Sequence, residues 1–273
     1  MDDQQSAATP DLGVRHDYEY QIDLHGDNAL AYVAELAGSG KKILELGAGA
    51  GMQTQILVKN GRNEVVAVEI NPGAVEKLKR YVDRVYPLDL NDPKWTSALA
   101  DEGKFDVVIA CDVLEHLYDP WTAIGEMKKL LSEDGEIIIC LPHIGNSAIL
   151  GLLYEDDFEY REEGLLDKTH IRFFGLRNIE ALHKNAGLTI TDARIVLRRP
   201  EVTEFHARWN HLPKRVRAAL SISAHGDIYQ VVTTARRSET VSTSFRLSEA
   251  AAKRCPPRRK PLLQKIAETL LGL

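Results

Sequence analysis

Lys42-Ile43-Leu44-Glu45-Leu46-Gly47-Ala48-Gly49-Ala50-Gly51 decides the fold of this chain. The apolar pair Ile43 and Leu44 suits a strand of a parallel sheet covered on both faces, and the three alternating glycines turn that strand into a helix. Glycine lets the backbone approach a ligand closely, while the free N–H groups and the dipole at a helix N-terminus favour a carboxylate or phosphate. The stretch therefore reads as a nucleotide-type ligand site, and its spacing narrows the ligand. A dinucleotide fingerprint would place its third glycine where Met52 stands, whereas here it falls one residue early, at Gly51. Glu45 is a second departure: an acid is repelled by a pyrophosphate but accepts hydrogen bonds from an ammonium group. About twenty residues on, the run Val65-Val66-Ala67-Val68 ends in Glu69, placed to accept from ribose hydroxyls.

Working outward, apolar periodicity predicts strands near 42–46, 64–69, 84–88, 106–111 and 136–141, and helices near 51–60, 72–80, 92–100 and 120–131. This βαβ rhythm belongs to an α/β, doubly wound, mainly parallel sheet. Asn28 to Leu36 has helical spacing ended by Gly38-Ser39-Gly40, and Leu176 to Ala186 reads as a helix ended by Gly187. Leu188 to Leu197 and Ile228 to Thr234 are strand-like.

The ordered motifs resemble those of class I S-adenosylmethionine-dependent methyltransferases. They are E-x-G-x-G-x-G at Glu45–Gly51, the acid Glu69, Asp89 after a third short strand, Phe105 to Asp112, and the Leu114-Glu115-His116-Leu117-Tyr118-Asp119-Pro120 segment of the small-molecule subgroup. The match runs from about residue 27 to 141 without a gap. It implies a Rossmann-like seven-stranded sheet whose last strand is antiparallel, with S-adenosylmethionine as cofactor. Glu45 would then meet the methionine ammonium, Gly47, Gly49 and Gly51 the cofactor, Glu69 its ribose, and Asp89 with Leu90 its adenine. Asp112 would lie near the methionine end or the acceptor, or else cap the following turn. Leu141-Pro142-His143-Ile144-Gly145-Asn146 and Gly164-Leu165-Leu166-Asp167-Lys168-Thr169-His170-Ile171-Arg172-Phe173-Phe174 resemble a narrower, glycan-associated subgroup.

Composition fits that reading. The chain has 273 residues, 44% of them hydrophobic, and a net charge of -6, enough for one large domain with appendages at about 100–200 residues per domain. Three cysteines without C-x-x-C spacing suggest neither a disulfide framework nor a zinc site, and they fit a reducing cytoplasm. The N-terminus has no signal-peptide pattern and no apolar run approaches a membrane span. From Arg236 onward nine Lys/Arg face three Glu, a net +6 that leaves -12 for the rest. An acidic body argues against nucleic-acid substrates and for a small molecule.

The expected layout is an arm over 1–26, a methyltransferase domain over 27–235 and a basic tail over 236–273. His16, Tyr18, Tyr20 and His25 of the arm would fold over the pocket, or the arm would be a leader followed by packing of Tyr18 and Ile22. Leu262 to Leu271 reads as an amphipathic helix that packs on its own protein or on a partner subunit, with a homodimer allowed, or touches an anionic membrane. Residues 143–174 interrupt the βαβ rhythm for about 30 residues, where an ordinary connection takes about 4 to 6, and are expected to form a cap over the substrate.

Methyl transfer is an in-line displacement, so the enzyme aligns acceptor, methyl and sulfur and removes the acceptor's proton. A sugar hydroxyl needs a base, and neutral histidines in loops at the carboxyl edge of the sheet are candidates: His116, His143 and His170, the last with Asp167 beside it as an orienting carboxylate. Bland alternatives stand beside them: His116 as a helix cap, His170 as a staple between cap and core, and Arg172 as a structural cation, while His143 follows Pro142 directly after the fifth strand, where substrates are usually approached. Asp112, Asp167 and the run Glu155-Asp156-Asp157 could offer oxygen ligands, but the spacing does not demand a metal and none is expected. The functional expectation is O-methylation of a sugar or sugar-bearing small molecule with histidine general-base assistance. The alternatives are O- or N-methylation of a phenol or amine, or a non-catalytic cofactor-binding scaffold.

Overall fold

The computed structural model describes residues 23–24, 26–242 and 245–255. Residues 1–22 and 25 of the expected arm, including His16, Tyr18, Tyr20 and His25, and the amphipathic stretch 262–271 lie outside the described residues.

Five strands, β1 (Lys42–Leu46), β2 (Glu64–Val68), β3 (Val85–Tyr86), β4 (Phe105–Cys111) and β5 (Leu131–Pro142), run parallel. β6 (Leu188–Leu197) and β7 (Ile228–Arg237) complete a seven-stranded sheet of order β3-β2-β1-β4-β5-β7-β6, in which β7 is antiparallel to both neighbours. The strand order reverses between β1 and β4, and at such a switch point the carboxyl edge of an open sheet opens into a crevice. Each predicted strand is present, with adjusted ends. β3 shrinks to two residues because Pro87 follows and has no N–H to continue the ladder. β5 starts five residues early, through an irregularity that pairs Phe105 with Leu131 before Val107 meets Glu136.

Helices cover both faces. α1 (Ala29–Ala37), α2 (Met52–Lys59) and α3 (Pro72–Leu78) go with one apolar layer, in which Val33, Leu57 and Leu78 meet Ile43, Val65 and Ile109. α4 (Pro120–Leu130) packs with the other, where Ile124 and Met127 join Leu44, Val66 and Val108. Asn71 and Asp119 cap α3 and α4, each with proline at the first helical position, which needs no N–H partner. The segment expected as a helix over 92–100 is a 3-10 helix over Trp95–Glu102. Thr96, Ser97 and Asp101 are poor α-helix formers, and burial of Trp95 and Leu99 fixes the segment instead.

The excursion after β5 holds α5 (Ser147–Tyr154), capped by Asn146, and then irregular chain up to α6 (Leu176–Asn185). A second excursion, between β6 and β7, was not read from the sequence. It carries α7 (His206–His211) and α8 (Lys214–Leu220), and Phe205 joins Ile149, Leu152, Leu165 and Leu166 in a separate apolar cluster. The cap is thus built from two chain segments. The acidic run of α5's end serves it structurally: Arg208 pairs with Asp157 at 2.6 Å and Glu155 at 3.3 Å. α9 (Leu247–Arg254) lies beyond β7 and buries Leu247 and Ala251 against α6 and β6. No helix among the described residues is long and apolar enough to cross a membrane.

Candidate active site

The segments leaving β1 to β5 all emerge at one edge, because these strands are parallel. After β1, Gly51 takes a left-handed φ of 90° at the start of α2, and a Cβ there would stand 2.7 Å from Tyr81 Cδ2. A Cβ on Gly47 would stand 2.5 Å from Val113 Cγ2. Gly49, with φ +54°, differs: a Cβ there meets nothing within 4 Å. The outer glycines are demanded by packing, and the middle one faces open space where a ligand can approach.

Two carboxylates frame this turn. Glu69 accepts from the N–H groups of Gly49 and Asn71, both at 2.7 Å. Glu45 is 3% exposed and accepts from Thr54 Oγ1 at 2.6 Å. Burial pushes its pKa up to about 8 and the Glu69 charge adds to this, against the Thr54 hydrogen bond. The unliganded site thus holds Glu45 as a neutral acid at pH 7, where a cationic partner would ionise it. Asp89 is exposed and closes its own turn, accepting from the Asn91 N–H at 2.8 Å, while Leu90 rests half-buried against the core. Asp112 follows β4 with φ 53°, a region that side-chain-bearing residues seldom occupy and that marks functional positions. Its carboxylate accepts from Gln230 Nε2 at 2.8 and 3.0 Å, so β7 reaches across to hold it.

The histidines divide. His116 and His170 meet edge to face, with ring centroids 4.7 Å apart, whereas His143 stands outside their cluster. Asp167 does not orient His170. It accepts from Thr169 Oγ1 at 2.6 Å and from the Thr169 N–H at 2.7 Å, and Thr169 Oγ1 lies 3.0 Å from His116 Nδ1. The Thr169 hydroxyl has one proton, given to Asp167, so it accepts from Nδ1–H, and in the neutral His116 ring the lone pair is then on Nε2. His170 is oriented from the cap instead: its Nδ1 lies 3.2 Å from the Leu165 carbonyl, which can only accept. Burial lowers the His170 pKa, as does its neighbour His116, so it is neutral. His143 is 3% exposed, and burial pushes its pKa down to about 4 with His225 adding to the effect.

The sequence reading passed over four residues. Thr54 and Gln230 hold Glu45 and Asp112; nothing local signals Gln230, which lies 118 positions from its partner. Thr169 carries the link from Asp167 to His116. Glu115, fully buried between the histidines, had a local signal, an acid inside the apolar Leu114–Leu117 run. Arg172 is structural, donating to the Tyr118 carbonyl at 2.5 Å and lying over the Trp121 ring.

A family model described as a methyltransferase domain matches residues 14–193. The chain is a class I S-adenosylmethionine-dependent methyltransferase. S-adenosylmethionine is therefore its methyl donor. The methyltransferase is 26% identical over 220 residues to the ubiquinone biosynthesis O-methyltransferase of Acinetobacter baumannii strain AYE, covering 77% of this chain and 86% of that relative. Its fold is shared with a methyltransferase-class structure from Bacillus halodurans C-125, at a TM-score of 0.55 and 15% identity over 76% of this chain and 98% of the other. The [4+2]-cyclase SpnF shares the fold as well, at a TM-score of 0.51 and 17% identity over 80% and 86% of the two chains.

Proposed function

We propose that this methyltransferase transfers the methyl group to a hydroxyl oxygen of a sugar or sugar-bearing small molecule, and that the hydroxyl is activated at the His116–His170 pair. The observation that carries the reading is the Asp167–Thr169–His116 chain, which fixes the tautomer of a half-exposed imidazole beside the carboxyl edge. Such preorganisation serves a reaction whose proton must leave as the acceptor attacks. The open backbone at Gly49, with Glu45 and Glu69 on either side, suits the methionine and ribose ends of the donor, and Asp89 with Leu90 the adenine. Asp112, on the segment leading to His116, suits the acceptor side.

The sugar assignment draws on the resemblance of residues 164–174 to glycan-associated methyltransferases. It draws also on Tyr118, Trp121 and Phe173, which stand exposed within a few residues of His116 and His170 and offer flat apolar faces to a sugar ring. The Acinetobacter baumannii relative bears the name of an O-methyltransferase, which favours oxygen over nitrogen. The same name supports a phenolic acceptor as the second reading, since an aromatic ring would also use those faces. The histidine His143 is proposed as a further contact to the acceptor.

The test is release of S-adenosylhomocysteine against nucleotide sugars, glycosides, phenols and amines. Turnover on a sugar is expected, with the product methylated on oxygen. In His116→Gln the rate should fall about 10²–10⁴-fold while S-adenosylmethionine affinity stays within about twofold. Turnover on amines alone would overturn the proposal, and turnover on phenols alone would replace the sugar by the second reading.

A further inference from the structure

Glu115 presents a clear energetic anomaly among the described residues. Its side chain is 0% exposed, and neither carboxylate oxygen has a hydrogen-bond partner among the described residues. An unpaired buried carboxylate is costly, and native chains seldom retain one without a cation, a proton or a structural partner for it. The two neighbouring imidazoles are each engaged through Nδ1. His170 Nε2 lies 3.9 Å from Glu115 Oε1, and with Nδ1–H held by the Leu165 carbonyl that Nε2 carries a lone pair. His116 is likewise held at Nδ1, by Thr169, which leaves Nε2 as its ligand atom in the neutral ring. One ligand atom from each of Glu115, His116 and His170 lies within 4.8 Å of the others. Three potential ligand atoms are thus gathered in one place, two of them on buried side chains.

We propose that Glu115, His116 and His170 bind a divalent transition-metal cation of the Zn²⁺ or Mn²⁺ type. Two imidazoles and one carboxylate form a donor set that leaves a coordination position open, and imidazole favours these metals over Mg²⁺ or Ca²⁺. Ligands about 2.0–2.2 Å from a tetrahedral ion stand roughly 3.4 Å from one another, so the 3.9 Å separation closes with a small side-chain adjustment. The outer partners are those such a site requires. A ligating histidine commonly gives its other N–H to a carbonyl or a carboxylate system, which here are the Leu165 carbonyl and the Thr169–Asp167 pair. The backbone adds a clamp, since the N–H groups of Ile171 and Arg172 both donate to the Glu115 carbonyl at 2.9 and 3.0 Å, tying the irregular chain after His170 to the ligand turn. The half-exposed His116 gives the cation its way in.

This inference deepens the proposed function and rests on it for the cation's purpose. A cation here would lower the pKa of an acceptor hydroxyl placed at the open position, so that its proton can leave to water as the oxygen attacks, and the histidine pair would activate the hydroxyl through the cation rather than as a base. It replaces the sequence-based expectation of metal independence. Asp112 is not needed as a ligand, being held by Gln230.

The experiment uses the full chain, stripped with chelator and dialysed, with titration of Zn²⁺, Mn²⁺ and Mg²⁺ followed by calorimetry without any acceptor. One equivalent of Zn²⁺ or Mn²⁺ should bind, with Mg²⁺ at least tenfold weaker. Thr169→Val, which removes only the outer partner of His116, should weaken binding about 10–100-fold, and His170→Ala should weaken it further. Cobalt loading of the wild-type protein should give visible absorption bands that His170→Ala abolishes, a readout independent of activity. Absence of saturable binding in the wild type, or unchanged affinity in both variants with circular dichroism intact, would overturn the site. If the metal binds yet no hydroxyl acceptor turns over, the site stands and the proposed function falls. If the metal binds yet turnover survives chelation undiminished, the site stands and its part in activating the hydroxyl falls.

Discussion

Glu45 shows how burial converts an acid into a sensor of its ligand. At pH 7 it is protonated in the empty site, because burial raises its pKa to about 8. An ammonium group placed against it favours the carboxylate, so cofactor binding expels a proton. Affinity for S-adenosylmethionine should therefore rise with pH up to about 8 and then level off. Calorimetry in buffers of different ionisation enthalpy should show the released proton at pH 7. Glu45→Gln should remove both the slope and the proton release; an unchanged slope would place the ammonium elsewhere. At Gly49 a Cβ clashes with no protein atom, yet φ +54° is strained for any other residue. Gly49→Val should thus lower cofactor affinity beyond detection while the chain still folds. In Gly51→Val, by contrast, the added side chain runs into Tyr81 and Leu78, and thermal stability should fall first.

At the scale of elements, the cap and the sheet support each other. Tyr229 on β7 donates to Glu204 at 3.2 Å, and Glu204 accepts from the Leu165 N–H at 2.7 Å, tying the second excursion to the first. α7 rests on α5 through Trp209, which is 2% exposed and donates Nε1–H to Glu201 at 3.0 Å. Gly151 allows that approach: a Cβ there would stand 2.8 Å from Leu212 Cδ1 and 3.3 Å from the Trp209 ring. Trp209→Ala should cost about 3–5 kcal/mol, the range for truncating a large buried aromatic side chain. Protease susceptibility should appear first within 198–227, and KM for the acceptor should rise more than KM for S-adenosylmethionine. Equal rises in both would mean that the cap does not govern the acceptor alone.

For the whole molecule, buried ionisable groups set the pH dependence of stability in opposite senses. The His143 and His183 imidazoles are held neutral by burial, with pKa values of about 4 against 6.5 in the open chain. As pH falls from 6.5 to 4 the unfolded chain takes up protons that the folded one refuses, and each histidine withdraws about 1.4 kcal/mol per pH unit. Glu45 acts the other way: between pH 8 and 4.5 the folded chain holds a proton that the unfolded one has released, so acidification over that range stabilises. The urea midpoint of the cofactor-free protein should therefore rise as pH drops from 8 to about 6.5, where Glu45 responds together with the buried Glu115 carboxyl, whose pKa burial also raises, and the rise should slow below 6.5 as the two histidines oppose these acids. A steady fall from pH 8 downward would show that Glu45 is already ionised in the folded state.

What the sequence determined by itself is what local pattern encodes. Ile43 to Gly51, the acid at Glu69 and the alternation of apolar runs with breakers specify a parallel sheet, its edge and its cofactor, because strand burial, turn chemistry and helix starts are short-range properties. The tertiary structure alone decided which polar groups meet. Asp167 neighbours His170 in the chain yet serves His116 through Thr169, since the Asp167 side chain closes its own turn and the Leu165 carbonyl already occupies His170. Gln230 reaches Asp112 only because β7 inserts antiparallel beside β5. Periodicity carries no information about such pairings, which arise when the cap brings residues 164–174 down onto the turn after β4. The same closure leaves Glu115 buried beside two imidazoles, a grouping that neither chain segment holds alone.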